Sequence, residues 1–397
     1  MLATRMRAII KTIMRNLTIT LLALVIMASG IANAAVETTD VFVSGRDGYH
    51  TYRIPSIVRI ADGDLLAFAE GRKGGKGDAG DIDLLVKRSS DNGRTWSSAS
   101  VIWDDAGNTC GNPCAVVDGD TGVIWLFGTH NLGTDREVDI IHKRAASTRT
   151  VWVMNSRDGG RTWSKPVDLT STLKNPSWGW YATGPGVGIQ IARGPNRGRL
   201  VIPCVHSYDD PQGNLRGGPY EYGSHSIYSD DHGKTWKLGG VIHPKMNECQ
   251  VVELASPAGT IEMNMRSYFD NGCRAVARSR DGGVTWTGPV DAPALVEPRC
   301  QASVLRHSWP KGKKPGVMLF SNPASKTARE NMTVRLSEDD GATWPRSLAL
   351  RGASAAYSCL VSLSDTEAGC LYEAGGKTRK QSYRRIVFAR FSLGDIK

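Results

Sequence analysis

Apolar positions come in short runs rather than long periodic stretches: Leu65–Ala69, Val123–Phe127, Leu200–Val205, Ile261–Met265, Val317–Phe320, Leu360–Leu363 and Ile386–Phe391. Runs of this length, rich in β-branched and aromatic residues and bounded by turn formers, predict strands. No long stretch holds the 3.6-residue period of an amphipathic helix. The expected fold is therefore all-β.

A repeat sits on this pattern. Ser89 to Trp96 (SSDNGRTW), Ser156 to Trp163, Ser229 to Trp236, Ser279 to Trp286 and Ser337 to Trp344 all obey Ser-x-Asp-x-Gly-x-Thr-Trp. Start-to-start spacings of 67, 73, 50 and 58 residues describe a module with variable loops. Each box follows a short strand pattern: Asp83–Lys87, Val151–Met154, Ser226–Tyr228, Ala275–Ala277 and Met332–Arg335. The octapeptide reads as a hairpin turn. Asp bonds nearby amides, Gly takes the positive φ, and Trp anchors the turn in the sheet. A calcium loop is disfavoured, because no Glu stands at the twelfth position and ligand-type residues are too few. Four-stranded modules of roughly 45–60 residues give about six to eight blades of a β-propeller. A sandwich or jelly roll leaves the repeated turn unexplained.

Composition adds a class. The 397 residues are 40% hydrophobic and 22% charged, as in a globular protein, and 44 glycines suit many tight turns. Of the +10 formal charge, Arg5, Arg7, Lys11 and Arg15 contribute four, leaving about +6, which suits an acidic substrate or an anionic glycan. No basic tract with interleaved aromatics supports nucleic-acid binding; Lys311, Lys313 and Lys314 read as a solvated loop.

The basic N-terminus precedes an apolar stretch, Leu17 to Ile31, and then Ala32-Asn33-Ala34. This is the layout of a cleaved leader over 1–34, with a single domain over 35–397. An uncleaved anchor is the alternative, although Thr18, Thr20 and Ser29 weaken it as a span. Export to the periplasm or medium is expected. Cys110, Cys114, Cys204, Cys249, Cys273, Cys300, Cys359 and Cys370 then permit disulfides, with Cys110 and Cys114 a candidate loop staple. Zinc is disfavoured, because no second Cys/His pair stands at ligand spacing.

The five boxes resemble the Asp-boxes of bacterial and animal sialidases, and Tyr52-Arg53-Ile54-Pro55 resembles that family's (F/Y)RIP motif. The resemblance implies an exported exo-α-sialidase, built as a six-bladed β-propeller of four-stranded antiparallel blades. It implies that Asp78, in Gly77-Asp78-Ala79-Gly80-Asp81, is the acid/base. Tyr357, in Ala356-Tyr357-Ser358, falls on the nucleophile, and Glu248, in Asn247-Glu248-Cys249, on its partner. Arg53, Arg266 and Arg329 fall on the arginine triad, and Arg72 looks like the additional sugar-contacting arginine. Trp180 to Gly186 resembles a loop near the glycerol side chain. Where some members have Asp-Pro in the pocket, this chain has Asn112-Pro113.

These residue types suit the chemistry. Sialic acid carries a carboxylate on its anomeric carbon, and guanidinium forks grip such an anion with directed hydrogen bonds. A carboxylate nucleophile would meet it at a cost of about 4 kcal/mol at 4 Å and an effective dielectric of 20. A neutral phenol avoids most of that, and sialidases are known to use tyrosine. No metal or organic cofactor is required. The implied partners are sialylated glycoproteins, glycolipids or oligosaccharides, and a monomer is expected.

Rival assignments exist for several of these. Glu253 competes with Glu248, and Arg335 with Arg329. Arg274 and Arg278 compete with Arg266 but look like surface strand positions. His206 and His225 read as loop or core histidines. A trans-sialidase, or an intramolecular transferase giving an anhydro sugar, would use the same residues, and a non-catalytic glycan-binding propeller would need only the boxes.

Overall fold

A computed structural model describes residues 36–376 and 383–397; the expected leader lies outside the described residues. Each expected strand overlaps an observed one, with only Val123 and Leu363 one residue outside, and the observed strands are longer because ladder pairing continues through polar positions that carry no hydrophobic signal. Helix is confined, among the described residues, to short turns such as Glu137–Ile141 and Thr170–Leu173.

The strands follow one another as antiparallel meanders. Thr51–Arg59 pairs with Leu65–Arg72, then Ile82–Ser89, then Ser100–Trp103. Thr109–Val117, Ile124–Asn131, Thr150–Ser156 and Val167–Asp168 repeat the pattern. Tyr181–Thr183, Leu200–Asp209, Tyr220–Ser229 and Lys237–Ile242 form the next meander. Met246–Glu253, Ile261–Ser267, Cys273–Ser279 and Val290–Val296 make a separate four-stranded sheet.

The remaining sheets are not uniformly four-stranded. Arg346–Ser362 is long enough to end one meander, begun by Ser303–Ser308, and to open the next, which merges seven strands into one sheet. A parallel bridge between Ile82 and Thr109 likewise helps to join nine strands. Glu37–Val43, from the start of the described chain, pairs with Arg385–Ser392 near its end. That pairing removes an open strand edge, where unpaired amides would invite aggregation.

All five boxes fold alike. The serine hydroxyl (Ser89, Ser156, Ser229, Ser279, Ser337) donates to the box aspartate and accepts from the box glycine N–H. The second aspartate oxygen accepts from the box threonine hydroxyl, at 2.6 Å between Asp91 and Thr95 and 2.7 Å between Asp231 and Thr235. The carboxylates are thus turn locks. The tryptophans do more than anchor their own turns. Trp163 meets Phe68 of the preceding meander edge-on at 5.7 Å, Trp236 meets Phe127 at 4.6 Å, and Trp96 meets Phe388 of the last meander at 5.6 Å. Each such ring pair staples one meander to its neighbour.

Burial works against ionisation of these aspartates, but the hydrogen bonds from threonine outweigh it. Asp91 and Asp231 are held down at about 2. A folded value below the unfolded one, about 3.9, gives stability that is complete above about pH 4 and is lost as pH falls through 2. The urea midpoint is therefore expected to drop steeply between pH 4 and pH 2, and less steeply in Thr235→Val. A midpoint that stays flat over that interval would contradict the turn-lock reading.

The cysteines depart from expectation. All eight are free thiols and buried. Cys110 and Cys114 lie on the same strand, Thr109–Val117. At about 3.3 Å per residue a four-residue separation puts them roughly 10–13 Å apart, too far for a disulfide, which needs about 5.5–6 Å between Cα atoms.

Candidate active site

The first strands of four meanders carry an irregularity at one place each, and each irregularity presents a site residue. Register shifts fall between Arg53 and Ser56, Gly111 and Cys114, Met246 and Cys249, and Ala355 and Ser358. An extra residue in a strand re-aims the side chains around it. Arg53, Asn112, Glu248 and Tyr357 thereby line one cleft of about 170 Å³. Ile54 and Asn112 take positive φ, 60° and 53°; the former is a strained conformation for a β-branched residue.

Two buried carboxylates hold these bulges. Glu373 accepts from Ile54 N at 2.9 Å and Tyr357 N at 3.2 Å, and also from Arg53 Nε at 2.8 Å. Glu70 accepts from Asn112 N at 2.7 Å and Arg72 Nε at 2.9 Å. Both stand on the second strand of their meander, so the repeat reuses one device: a carboxylate that caps a neighbouring bulge and orients an arginine.

All seven sequence-nominated residues, Arg53, Arg72, Asp78, Glu248, Arg266, Arg329 and Tyr357, line this cleft. Tyr357 Oη donates to Glu248 Oε1 at 2.5 Å. Arg266 Nη1 donates to Glu248 Oε2 at 2.7 Å and lies 3.5 Å from Tyr357 Oη. The guanidinium carbons of Arg53 and Arg329 stand 5.0 and 5.4 Å from the centre of the Tyr357 ring. Burial raises the Tyr357 phenol well above its usual pKa and the Glu248 carboxylate adds to this, against the three arginines, so the resting group is a neutral phenol. Arg266 Nε is buried with no hydrogen-bond partner among the described residues. A desolvated donor without an acceptor is costly.

Asp78 sits at the mouth, with 59% of its side-chain surface exposed, 2.8 Å from Arg72 Nη1 and 3.6 Å from Arg53 Nη1. The protein crowded around the carboxyl removes part of its hydration and pushes its pKa up, but Arg72 and then Arg53 outweigh this and hold it at about 2. Six guanidinium groups face four carboxylates around the cleft, so it has a net positive lining.

The rivals separate cleanly. Glu253 caps the backbone, accepting from Ala192 N at 2.6 Å and Arg193 N at 3.0 Å. Arg274 is not a surface residue: it is fully buried, bonded to Asn264, Glu297 and the Cys300 carbonyl. Its place on a strand before a box reads as exposed, but its carboxylate partner, Glu297, directly follows the neighbouring strand Val290–Val296 and covers it. Arg278 is half exposed and pairs with Glu262, and Arg335 reaches Asn322. His206 and His225 are core residues, hydrogen-bonded to each other.

Several cleft residues escaped the sequence reading. Arg149 is fully buried and has no carboxylate within 4 Å among the described residues; its partners are Thr129, Asn131 and Asn112, with Trp180 stacked at 4.2 Å. Burial lowers its pKa to about 10. Asn112, at the position of the Asp-Pro departure, is thus the acceptor for this guanidinium. Glu137 and Arg216, paired at 2.8 Å, and Tyr268, bonded to Arg266, complete the wall. Glu70 and Glu373 had a faint signal, since Glu70-Gly71 and Glu373-Ala374-Gly375 recur at equivalent points of two meanders. Arg149 had none.

Strand meanders locked by Asp-boxes, with an arginine-lined cleft at their bulged strands, define the class of BNR-repeat proteins, and a profile described as a BNR repeat-like domain matches residues 63–371. The chain is 35% identical over 381 residues to a sialidase of Micromonospora viridifaciens, covering 90% of this chain and 56% of that protein. It is 35% identical over 379 residues to an exo-α-sialidase of Aspergillus fumigatus, covering 88% and 86%. Among solved structures, the Hadza microbial sialidase Hz136 superposes with a TM-score of 0.77 at 30% identity, covering 91% of this chain and 69% of that one. The chain belongs to the exo-α-sialidase family with BNR repeats.

Proposed function

We propose that this protein is an exo-α-sialidase that releases terminal sialic acid from glycoconjugates with net retention, through Tyr357 as nucleophile. One observation carries the reading: a neutral phenol hydrogen-bonded at 2.5 Å to Glu248, with Arg53, Arg266 and Arg329 gathered around it. On this reading the meanders are six four-stranded propeller blades, with the cleft at one axial mouth, and the Arg5–Ala34 pattern supports export.

The steps balance. Substrate binds with its carboxylate on Arg53, Arg266 and Arg329. Tyr357 Oη attacks the anomeric carbon as its proton passes to Glu248. The glycosidic C–O bond breaks, and Asp78 gives its proton to the departing oxygen. Water then attacks the same carbon from the vacated side and loses a proton to Asp78; the Tyr357–carbon bond breaks and Glu248 returns the proton. Two displacements at one centre retain configuration. Asp78 must be protonated for the first step, although Arg72 and Arg53 hold it ionised in the free protein. The substrate carboxylate, once on Arg53, offsets that positive charge and moves Asp78 up toward the range an acid needs.

Arg329→Ala removes one clamp arm. Hydrogen bonds to charged groups are worth about 1.5–3 kcal/mol, so KM for a sialoside is expected to rise about 10- to 100-fold, with a smaller change in kcat. An unchanged KM would remove Arg329 from the clamp. NMR of the product in water tests the activity itself: free sialic acid, appearing first as the α-anomer, is expected. An anhydro sugar or a transferred sialyl group would replace hydrolysis by transfer.

A further inference from the structure

Asp78 rides on a nine-residue loop, Lys73-Gly74-Gly75-Lys76-Gly77-Asp78-Ala79-Gly80-Asp81, that contains four glycines. Glycine loses more backbone freedom on ordering than any other residue, so a loop of this composition needs an external restraint to hold a catalytic carboxyl in place. Arg72 Nη1 donates to the Lys76 and Gly77 carbonyls, Thr109 Oγ1 bonds both the N–H and the carbonyl of Gly80, and a further restraint lies at the neck. Lys73 N donates to the Asp81 carbonyl at 3.0 Å, and Lys73 Nζ lies 2.8 Å from Asp81 Oδ1.

The same ammonium is 3.1 Å from Asp83 Oδ2 and 3.8 Å from Asp104 Oδ2. Asp83 is buried and takes a further hydrogen bond from Tyr49 Oη at 2.6 Å. Asp81, Asp83 and Asp104 bring their oxygens close enough together to hold a metal ion; the Lys73 ammonium reaches all three. Without that cation the three carboxylates would repel one another at the base of the loop.

We infer that Lys73 is a positioning residue for the reaction: its ammonium acts as a built-in cation that draws Asp81, Asp83 and Asp104 together and so fixes the loop that aims Asp78 at the leaving-group oxygen. The inference rests on the sialidase reading above. The place of Lys73 differs from that of the arginines: Arg72 holds the Asp78 carboxylate and the tip of the loop, donating to the Lys76 and Gly77 carbonyls at 2.7 and 2.8 Å, while Lys73 holds the neck.

The test uses two substrates that differ in their need for an acid. A 4-nitrophenyl sialoside leaves as a stabilised phenolate and needs little protonation, whereas sialyllactose leaves as an alkoxide and needs it fully. In Lys73→Met, kcat/KM for sialyllactose is expected to fall at least tenfold more than for the nitrophenyl substrate, which is the split that Asp78→Ala should also give. Lys73→Arg, which keeps the charge, is expected to recover most of the loss. Should Lys73→Met fail to fold, Asp81→Asn cuts the same pair from the other side and is expected to give the same split. Equal losses on both substrates would make Lys73 a merely structural residue and overturn the inference. Wild-type protein inert on both would instead overturn the sialidase reading.

Discussion

Tyr357→Phe is expected to cut kcat for sialoside hydrolysis by at least three orders of magnitude, about 4 kcal/mol of barrier. The ring would remain, and with it the stacking of Arg53 and Arg329. Glu248 would keep its 2.7 Å pair with Arg266. The fold should therefore be little disturbed, and thermal unfolding should show it. Glu248→Gln is expected to cost a comparable factor, because the amide cannot take the phenolic proton. The double variant should be scarcely worse than either single one, since two residues that act as a unit lose their joint contribution once. Steady-state rates for the three variants decide the matter. Multiplied losses would mean that Glu248 and Tyr357 act separately.

The second large effect is on stability. Glu373 is fully buried and holds Arg53, Ile54 N and Tyr357 N together. Glu373→Ala would leave Arg53, itself 5% exposed, without its principal counter-charge and release the strained Ile54 bulge. Breaking a buried ion pair from one side costs about 3–5 kcal/mol, so Tm is expected to fall by roughly 5–10 °C. Activity should fall with it, because Arg53 and Tyr357 would lose their shared backbone reference. Glu373→Gln, which still accepts from Ile54 N, should lose less on both counts. Scanning calorimetry and KM for a sialoside measure the two effects; a Tm within 1 °C of wild type would refute the capping role.

Strand content could be read directly from the chain, because strands buried on both faces, such as Leu65–Arg72 and Val317–Pro323, appear as short unbroken apolar runs between turn formers. The boxes were equally plain, since a lock made of Ser, Asp, Gly and Thr within eight residues closes on itself. What lay beyond reach was the partner of each tryptophan. Trp163 finds Phe68, and Trp236 finds Phe127, only when meanders pack side by side. The seven cleft residues were named through a family resemblance carried by short motifs. The carboxylates that hold them in place were not, and Arg274 has the local pattern of a surface residue because its partners Glu297 and the Cys300 carbonyl lie 23 and 26 residues away.

Local chemistry thus settled the strands, the turns and the kinds of group available for an acidic sugar. Folding settled which of those groups meet. Arg53 touches Glu373 across 320 residues, and Tyr357 touches Glu248 across 109. Hydrogen bonds and ion pairs act over a few ångströms of space and leave no trace in the order of the chain, so only the closed arrangement of meanders could say that a phenol, a carboxylate and three guanidinium groups share one cleft.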